Sequence, residues 1–146
     1  MANDTSHFCQ ALLDPVRRER CLAPLAHPRK LCCKAHESEL DASYAEYKAA
    51  GRQADKLRVY AQLKRSKVHA LDIAMVEFHL DGLRDYVEAL EREIRLRVAH
   101  ADRFFVVADE GHRQRVKKLQ RDLRNTKLLQ RDLSSRLAIC SKSSRR

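Results

Sequence analysis

The chain has 146 residues, of which 34% are charged and 5% are aromatic. This length allows one domain of ordinary size, and this composition favours long charged helices over a thick globular core. The formal net charge of +10 favours an anionic partner, whereas the lack of any run of about 18 uncharged apolar residues excludes a membrane-spanning helix and argues against a membrane partner.

The N-terminal region differs in composition from the rest of the chain. All three prolines and four of the five cysteines precede residue 37. The first residues, MANDTSHFCQALLDPVRR, lack the basic start and apolar run of a secretory signal. We therefore expect a soluble intracellular protein, nuclear or cytoplasmic, in which cysteines stay reduced. The change in composition predicts a small module over residues 1–38 and a helical body over residues 39–140.

Cysteine and histidine residues in this module have a spacing that suits a metal site. Cys9, Cys21, Cys33 and His36 give the pattern C-x11-C-x11-C-x2-H, which offers three thiolates and one imidazole to a tetrahedral Zn²⁺. Cys33 and His36 stand just ahead of a helix-forming run, so both can face the same way from one helical turn. Four protein ligands leave no open position, which predicts a structural cofactor.

Several alternatives to this ligand set are open. Cys32 is an alternative to Cys33, because Cys32 and His36 would converge from helix positions i and i+4. His7 and His27 are spare imidazole ligands. The cysteines could also be small buried residues without a metal, or form disulfides. The module contains few large apolar side chains, however, and segments of this size usually need a metal or another cross-link.

The residues that follow predict long helices. From ELDASYAEYKAAGRQADKL onward, the chain is rich in good helix formers. The segment Leu40 to Val68 can supply one helical layer, although QLKRSK weakens the pattern. Its apolar face would consist of Tyr44, Tyr47, Ala54, Leu57 and Ala61.

A coiled-coil pattern begins at Ile73. Apolar residues recur there at spacings of three and four over five heptads, which predicts one helix of about 36 residues, or roughly 54 Å. The predicted seam is Ile73, Val76, Leu80, Leu83, Val87, Leu90, Ile94, Arg97, Ala101, Phe104 and Ala108. Arg97 is its one polar member.

A turn near residues 109–112 would connect this helix to the last one. Gly111 offers a left-handed stop, and Asp109 and Glu110 are acids that favour the start of a following helix. The heptad pattern then continues on Val116, Leu119, Leu123, Thr126, Gln130, Leu133, Leu137 and Cys140. Folded back on the preceding helix, this segment predicts an antiparallel helical hairpin or bundle, and a basic disordered tail would occupy residues 141–146.

The C-terminal segment carries the entire excess of positive charge. Residues 112–146 contain twelve Lys and Arg against two acidic residues, and the rest of the chain is balanced. Without aromatic residues for stacking, binding to nucleic acid would rest on phosphates. The candidate residues are Arg113, Lys117, Lys118, Arg121, Arg124, Lys127 and Arg131. The simpler interpretation is a solvated helix face.

No pattern of catalytic residues accompanies these features. The sequence contains no Gly-rich phosphate loop, no G-x-S-x-G and no H-E-x-x-H, and the histidines after residue 60 are scattered along predicted helices. We therefore expect a protein that is not an enzyme and has no small-molecule substrate.

The segment RERCLAPLAHPRKLCCKAHESEL resembles Cys3His zinc modules in which a cysteine follows a basic residue and a later C-x-x-H opens a helix. Together with YAEYKAAGRQADKL and DEGH, it is similar to uncharacterised fungal proteins that pair such a cluster with long coiled-coil helices. The resemblance implies zinc binding by Cys9, Cys21, Cys33 and His36. Related C3Hc3H modules of chromatin-associated proteins have a second ligand cluster, for which only Cys140 remains here, so their DNA binding is not carried over.

The sequence thus predicts an all-α, non-enzymatic zinc-binding scaffold. Its coiled coil would mediate self-association or docking on a protein partner. The alternative is a nucleic-acid-associated regulatory factor that binds phosphates through the basic C-terminal helix.

Overall fold

A computed structural model of the protein describes residues 8–14, 16, 19–25, 27, 29–104 and 110–143. Three long helices make up most of the described chain, and a small N-terminal region with two short strands and a Cys3His cluster precedes them. The elements are β1 (Leu12–Asp14), β2 (Glu19–Arg20), α1 (Lys34–Leu57), α2 (Ile73–Arg103) and α3 (Glu110–Ser143). The predicted fold class, an all-α protein with a small cysteine-rich module, is confirmed.

The N-terminal region is held together by backbone hydrogen bonds between sequence-distant segments. β1 and β2 pair antiparallel. Next to them, the Cys9 amide donates to the Ala23 carbonyl at 2.8 Å, and the Leu22 amide donates to the Cys9 carbonyl at 3.0 Å. Leu22 has φ 55°, a left-handed conformation that is uncommon outside glycine. This pairing brings the segments that carry Cys9 and Cys21 side by side.

Helix α1 begins at Lys34, so the predicted module boundary at residue 38 lies inside it. The Glu37 amide donates to the Cys33 carbonyl at 2.7 Å, which makes Cys33 the N-cap residue. Tyr47 and Ala54 of the predicted apolar face are buried, whereas Tyr44 is 50% exposed. The helical layer predicted from Leu40 to Val68 is not one continuous helix. Two 3-10 segments follow α1, at Arg58–Gln62 and Arg65–Ala70.

The predicted seam of α2 consists of two rows in which residues recur every seven positions, and one of these rows is buried. Val76, Leu83, Leu90, Arg97 and Phe104 are buried at intervals of seven residues. The other predicted row is only partly buried, and it consists of Ile73, Leu80, Val87, Ile94 and Ala101. A row of Tyr86, Glu93 and His100 is buried in its place. The predicted seam position Ala108 lies outside the described residues.

Helix α3 has a buried row at the same interval. His112, Leu119, Thr126 and Leu133 are buried, together with Leu129. The remaining predicted seam positions are partly buried, and they are Val116, Leu123, Gln130, Leu137 and Cys140. The Thr126 hydroxyl donates to the Asp122 carbonyl at 2.7 Å, which satisfies its polar group within the helix.

The ends of α3 differ from the sequence-based expectation. The helix begins at Glu110, and no described glycine has a positive φ. Gly111 is therefore part of the first helical turn and not a left-handed stop. At its other end α3 continues to Ser143, three residues into the predicted disordered tail. Residues 144–146 lie outside the described part of the chain.

The chain divides into two compact units, and each helix contributes a segment to both. The first unit comprises residues 1–49 and 94–116, and the second comprises residues 50–93 and 117–146. The first unit contains the N-terminal strands and the cysteine residues up to Cys33.

A cluster of aromatic and basic side chains forms the helical core of the first unit. The Tyr47 ring lies 4.9 Å from the His100 ring and 5.5 Å from the His112 ring, measured between centroids. The Arg97 guanidinium lies 4.4 Å from the centre of the Tyr47 ring, a cation–π contact. Ser43 Oγ is 2.9 Å from His100 Nδ1. These contacts explain how polar residues occupy a buried seam.

In the second unit, two glycines allow close contacts with α2. A Cβ atom at Gly51 would lie 3.1 Å from Glu93 Oε1, and one at Gly82 would overlap the Tyr60 ring. Ion pairs connect other elements: Arg65 pairs with Asp132, and Lys127 Nζ lies 3.3 Å from Glu91 Oε1. The two glycines thus permit close packing of these segments, and the two ion pairs lie at the surface.

Candidate metal centre

Three separate segments supply the side chains of the candidate metal centre. Cys9 precedes β1, Cys21 follows β2, and Cys33 and His36 stand at the N-terminus of α1. Backbone hydrogen bonds align the first two segments, and the helical turn brings His36 next to Cys33. Because Cys33 is the N-cap residue, its side chain stands at the positive end of the α1 dipole.

The four side chains converge closely enough to share one metal ion. Their ligand atoms all lie within 4.8 Å of one another. His36 Nδ1 is 3.4 Å from Cys9 Sγ and 3.3 Å from Cys33 Sγ. Tetrahedral zinc with ordinary bond lengths requires S···N distances of about 3.5 Å and S···S distances of about 3.8 Å. Cys9, Cys21, Cys33 and His36 could therefore bind a metal such as zinc.

The surroundings of Cys9 favour its thiolate. Burial alone would raise the pKa of this thiol, but hydrogen bonds with the backbone amides of Cys33 and Ala11 and with His36 lower it to about 7. At Cys21, a backbone hydrogen bond with Ala23 lowers the pKa of the thiol. Desolvation and the nearby Cys9 sulfur outweigh that effect, and the pKa is raised. Thiolates packed this closely repel one another, and a bound cation relieves that repulsion.

The neighbouring cysteines Cys32 and Cys33 have different surroundings. Cys33 belongs to the four-residue cluster, and Cys32 does not. Cys32 is 2% exposed and packs in a small apolar core with Ala11 and Phe104. Desolvation and the nearby Cys9 sulfur raise the pKa of the Cys32 thiol to about 12. Cys32 thus acts as a small core residue beside the candidate ligand.

The far side of the His36 ring contacts two further charged residues. His36 Nε2 lies 3.3 Å from Arg103 Nη2 and 4.0 Å from Glu39 Oε2. Arg103 also donates to Glu39 Oε1 at 2.9 Å and to the Leu12 carbonyl at 2.7 Å. Both residues therefore lie on the side of the imidazole that faces away from the sulfurs. Sequence reasoning missed both. Glu39 could have been found by its i+3 spacing from His36, but nothing local points to Arg103.

The remaining candidate ligands are not part of the cluster. His27 is exposed and accepts a hydrogen bond from the Arg29 amide at 3.2 Å. His7 lies outside the described residues. Within the ranges that the structure describes, no second group of metal-binding side chains converges.

The seven predicted nucleic-acid contacts fall into two groups. Lys117, Arg121, Arg124 and Arg131 are exposed on α3. The other three have different surroundings, since Arg113 pairs with Glu110, Lys127 pairs with Glu91, and Lys118 lines a separate surface cavity. That cavity has a volume of about 430 Å³, and the sequence contains no signal for it.

Among the described helices, none is both long and apolar enough to cross a membrane. No family model matches the chain, and no curated protein and no solved structure matches it significantly. The resemblance to Cys3His modules therefore rests on the quoted motifs alone, and the geometry of the chain must carry any functional assignment.

Proposed function

We propose that the protein is a non-enzymatic scaffold in which a structural Zn²⁺ ion fastens the N-terminal region to the helical body. One observation carries this proposal: the ligand atoms of Cys9, Cys21, Cys33 and His36 lie within 4.8 Å of one another. Three sulfurs and one nitrogen in a tetrahedral arrangement suit zinc better than the harder divalent ions.

The composition of the N-terminal region explains why it needs a metal. Among the residues that the structure describes, its buried apolar cluster consists of Cys9, Ala11 and Cys32, with Phe104 contributed from the end of α2. Such a core buries little apolar surface, so the free energy of metal binding would supply much of the folding free energy. When bound, zinc supplies a fixed cross-link and, with four protein ligands, no open position for a substrate.

Burial of the helix seams limits where a partner could dock. The seams of α2 and α3 are buried within the chain, as Leu83, Leu90 and Leu133 show with exposed fractions of 0%, 1% and 0%. A partner would therefore dock on the outer faces of the helices, and seam pairing with a second copy is not needed. We expect a monomer in light scattering across a hundredfold range of concentration, and a concentration-dependent dimer would favour self-association instead.

Zinc stoichiometry in matched cysteine variants tests the proposal. Native mass spectrometry of the full chain should show one zinc ion per chain. Cys33→Ser should lose it, since a hydroxyl is a poor zinc ligand, whereas Cys32→Ser should keep it. Cys140→Ser, which changes a cysteine on α3, serves as a second control. Wild-type protein without zinc, or equal loss from Cys32→Ser and Cys33→Ser, would contradict the assignment.

A further inference from the structure

Five basic residues of α3 point in nearly the same direction. Successive residues of an α-helix are turned by about 100°, so the side chains of these five fall within an arc of about 80°, and they extend over roughly 38 Å of the axis. We call this set the basic stripe, and it consists of Lys117, Arg121, Arg124, Arg131 and Lys142. All five are exposed, and all lie in the second unit.

Most of the charge of the basic stripe is uncompensated within the described part of the chain, and the exception is Arg131, which interacts electrostatically with the neighbouring Asp132. No carboxylate lies within ion-pair distance of any of its five residues, in contrast to Lys127 and Arg65, which pair with Glu91 and Asp132. Like charges three and four residues apart, as at Lys117, Arg121 and Arg124, repel one another and destabilise a helix. A bound polyanion would remove this repulsion.

The residues between the charges indicate what kind of anion fits. Leu128, Ser135 and Ile139 occupy the rest of the same arc, so the stripe contains neither aromatic rings for base stacking nor amide groups for reading base edges. The opposite face of α3 is buried through Leu119 and Leu133. The helix can therefore present only one face, which touches phosphates without entering a groove completely.

A duplex provides anionic groups at the density that this surface requires. It carries one negative charge per about 1.7 Å of its axis, so a straight row of five cations finds phosphates in many registers. An acidic protein surface would need carboxylates in one matching arrangement. We propose that the basic stripe binds the phosphate backbone of duplex nucleic acid with little sequence preference. This inference rests on the proposed scaffold function and names its partner class.

Fluorescence anisotropy of the zinc-loaded full chain with a labelled 25-base-pair DNA duplex tests this inference. If five phosphates are contacted, log affinity should fall with log salt at a slope of about −4.5. Arg124→Glu combined with Arg131→Glu should reduce the slope to about −2.7 and lower affinity roughly 60-fold at 0.1 M salt, because two contacts are lost.

A matched control separates the stripe from net charge. Lys64→Glu combined with Lys67→Glu makes the same charge change at two exposed residues outside α3, and it should lower affinity by less than threefold. Duplexes of unrelated sequence should bind equally well, and single-stranded DNA and poly-glutamate should bind more weakly. The inference is overturned if the two double variants lose affinity equally, or if poly-glutamate binds more tightly than the duplex. Failure of the wild-type protein to bind the duplex at 50 mM salt would also overturn it.

Zinc content measured on the same samples keeps the two proposals distinguishable. Both double variants should keep one zinc ion per chain, since the basic stripe and the cysteine cluster share no residue. Zinc-loaded wild-type protein that fails to bind duplex overturns the basic stripe and leaves the scaffold proposal standing. Wild-type protein without zinc overturns the scaffold proposal, and the anisotropy result then still decides for or against the stripe.

Discussion

His36 shows how single residues around a candidate ligand determine its chemistry. Its Nδ1 faces the sulfurs, so a metal bound there requires the proton on Nε2. That proton needs an acceptor, and Glu39 Oε2 at 4.0 Å is available, whereas Arg103 offers a second donor. We therefore expect the Nε2 proton to point at Glu39 in the metal-bound protein, with Arg103 holding the carboxylate.

Replacing Glu39 by Gln should consequently weaken zinc binding by about tenfold, the lower end of the range for outer-shell partners of ligating histidines. Competition with a chromophoric chelator measures this affinity. Glu46→Gln is a suitable control, because it removes the same charge from an exposed position of α1. An unchanged affinity in Glu39→Gln, with zinc still bound, would show that the carboxylate does not position His36.

His100 illustrates the cost of burying an ionisable residue in the helical core. Desolvation, together with the nearby His112 and Arg97, lowers the pKa of His100 from 6.5 to about 4. The unfolded chain therefore takes up a proton below pH 6.5 that the folded chain refuses until about pH 4. Stability from this residue is present at neutral pH and is lost as the pH falls through this window.

Between pH 7 and pH 4.5, protonation of this histidine in the unfolded chain should lower the free energy of unfolding by about 2 kcal/mol. Urea unfolding of wild type and His100→Gln at both pH values isolates its contribution, since acid release of zinc affects the two proteins alike. The amide of Gln can still meet Ser43, which limits the loss of contacts. Identical pH dependence in the two proteins would contradict the assignment.

At the scale of helices, the seam of α2 shows what the sequence could and could not predict. Starting from Val76, the residues at i+3 and i+4 lie on opposite sides of the buried row. The pattern of apolar residues predicts that the i+4 row, with Leu80 and Val87, is buried. In the structure the i+3 row, with Tyr86, is buried instead. His100 of that row meets Ser43 of α1, and the local pattern carries no information about such a partner.

The N-terminal cluster was more predictable, for a local reason. Cys33 and His36 belong to one helical turn, so their spacing alone indicates that they converge. Choosing between Cys32 and Cys33 required the backbone direction at the start of α1. The Arg103 contact joins residues 67 positions apart, and only the folded chain brings them together.

Gly82 provides a test of packing between elements. An added methyl group there would overlap the Tyr60 ring. Gly82→Ala should therefore destabilise the protein by about 1–2 kcal/mol, because overpacking outweighs the gain in helix propensity. Gly111→Ala is the matched control in an exposed first turn of α3, and it should stabilise by up to about 1 kcal/mol. Equal effects of the two substitutions in urea unfolding would exclude a special role for the Tyr60 contact.

At the scale of the whole molecule, the candidate metal and the positive charge belong to different units. The four candidate ligands lie in the first unit, and the basic stripe lies in the second. Substitutions can therefore change the candidate metal ligands and the basic stripe separately. This separation also predicts which part of the protein depends on the metal.

Removal of zinc by a chelator should loosen the N-terminal region first. In the part of this region that the structure describes, hydrogen bonds such as that from the Cys9 amide to the Ala23 carbonyl surround only a small apolar cluster. The second unit contains the fully buried Val76, Leu83 and Leu133 and no candidate ligand. We expect far-UV circular dichroism to retain most of its helical signal while amide exchange rises in residues 9–33.

Hydrogen exchange with mass spectrometry, with and without chelator, measures this difference directly. Peptides that cover residues 76–90 and 119–133 should keep their protection, because their buried apolar side chains do not depend on the metal. Cys33→Ser should show fast exchange in residues 9–33 without chelator and should not respond to it. Loss of protection along the entire chain on zinc removal would instead mean that the metal site and both units unfold as one cooperative structure.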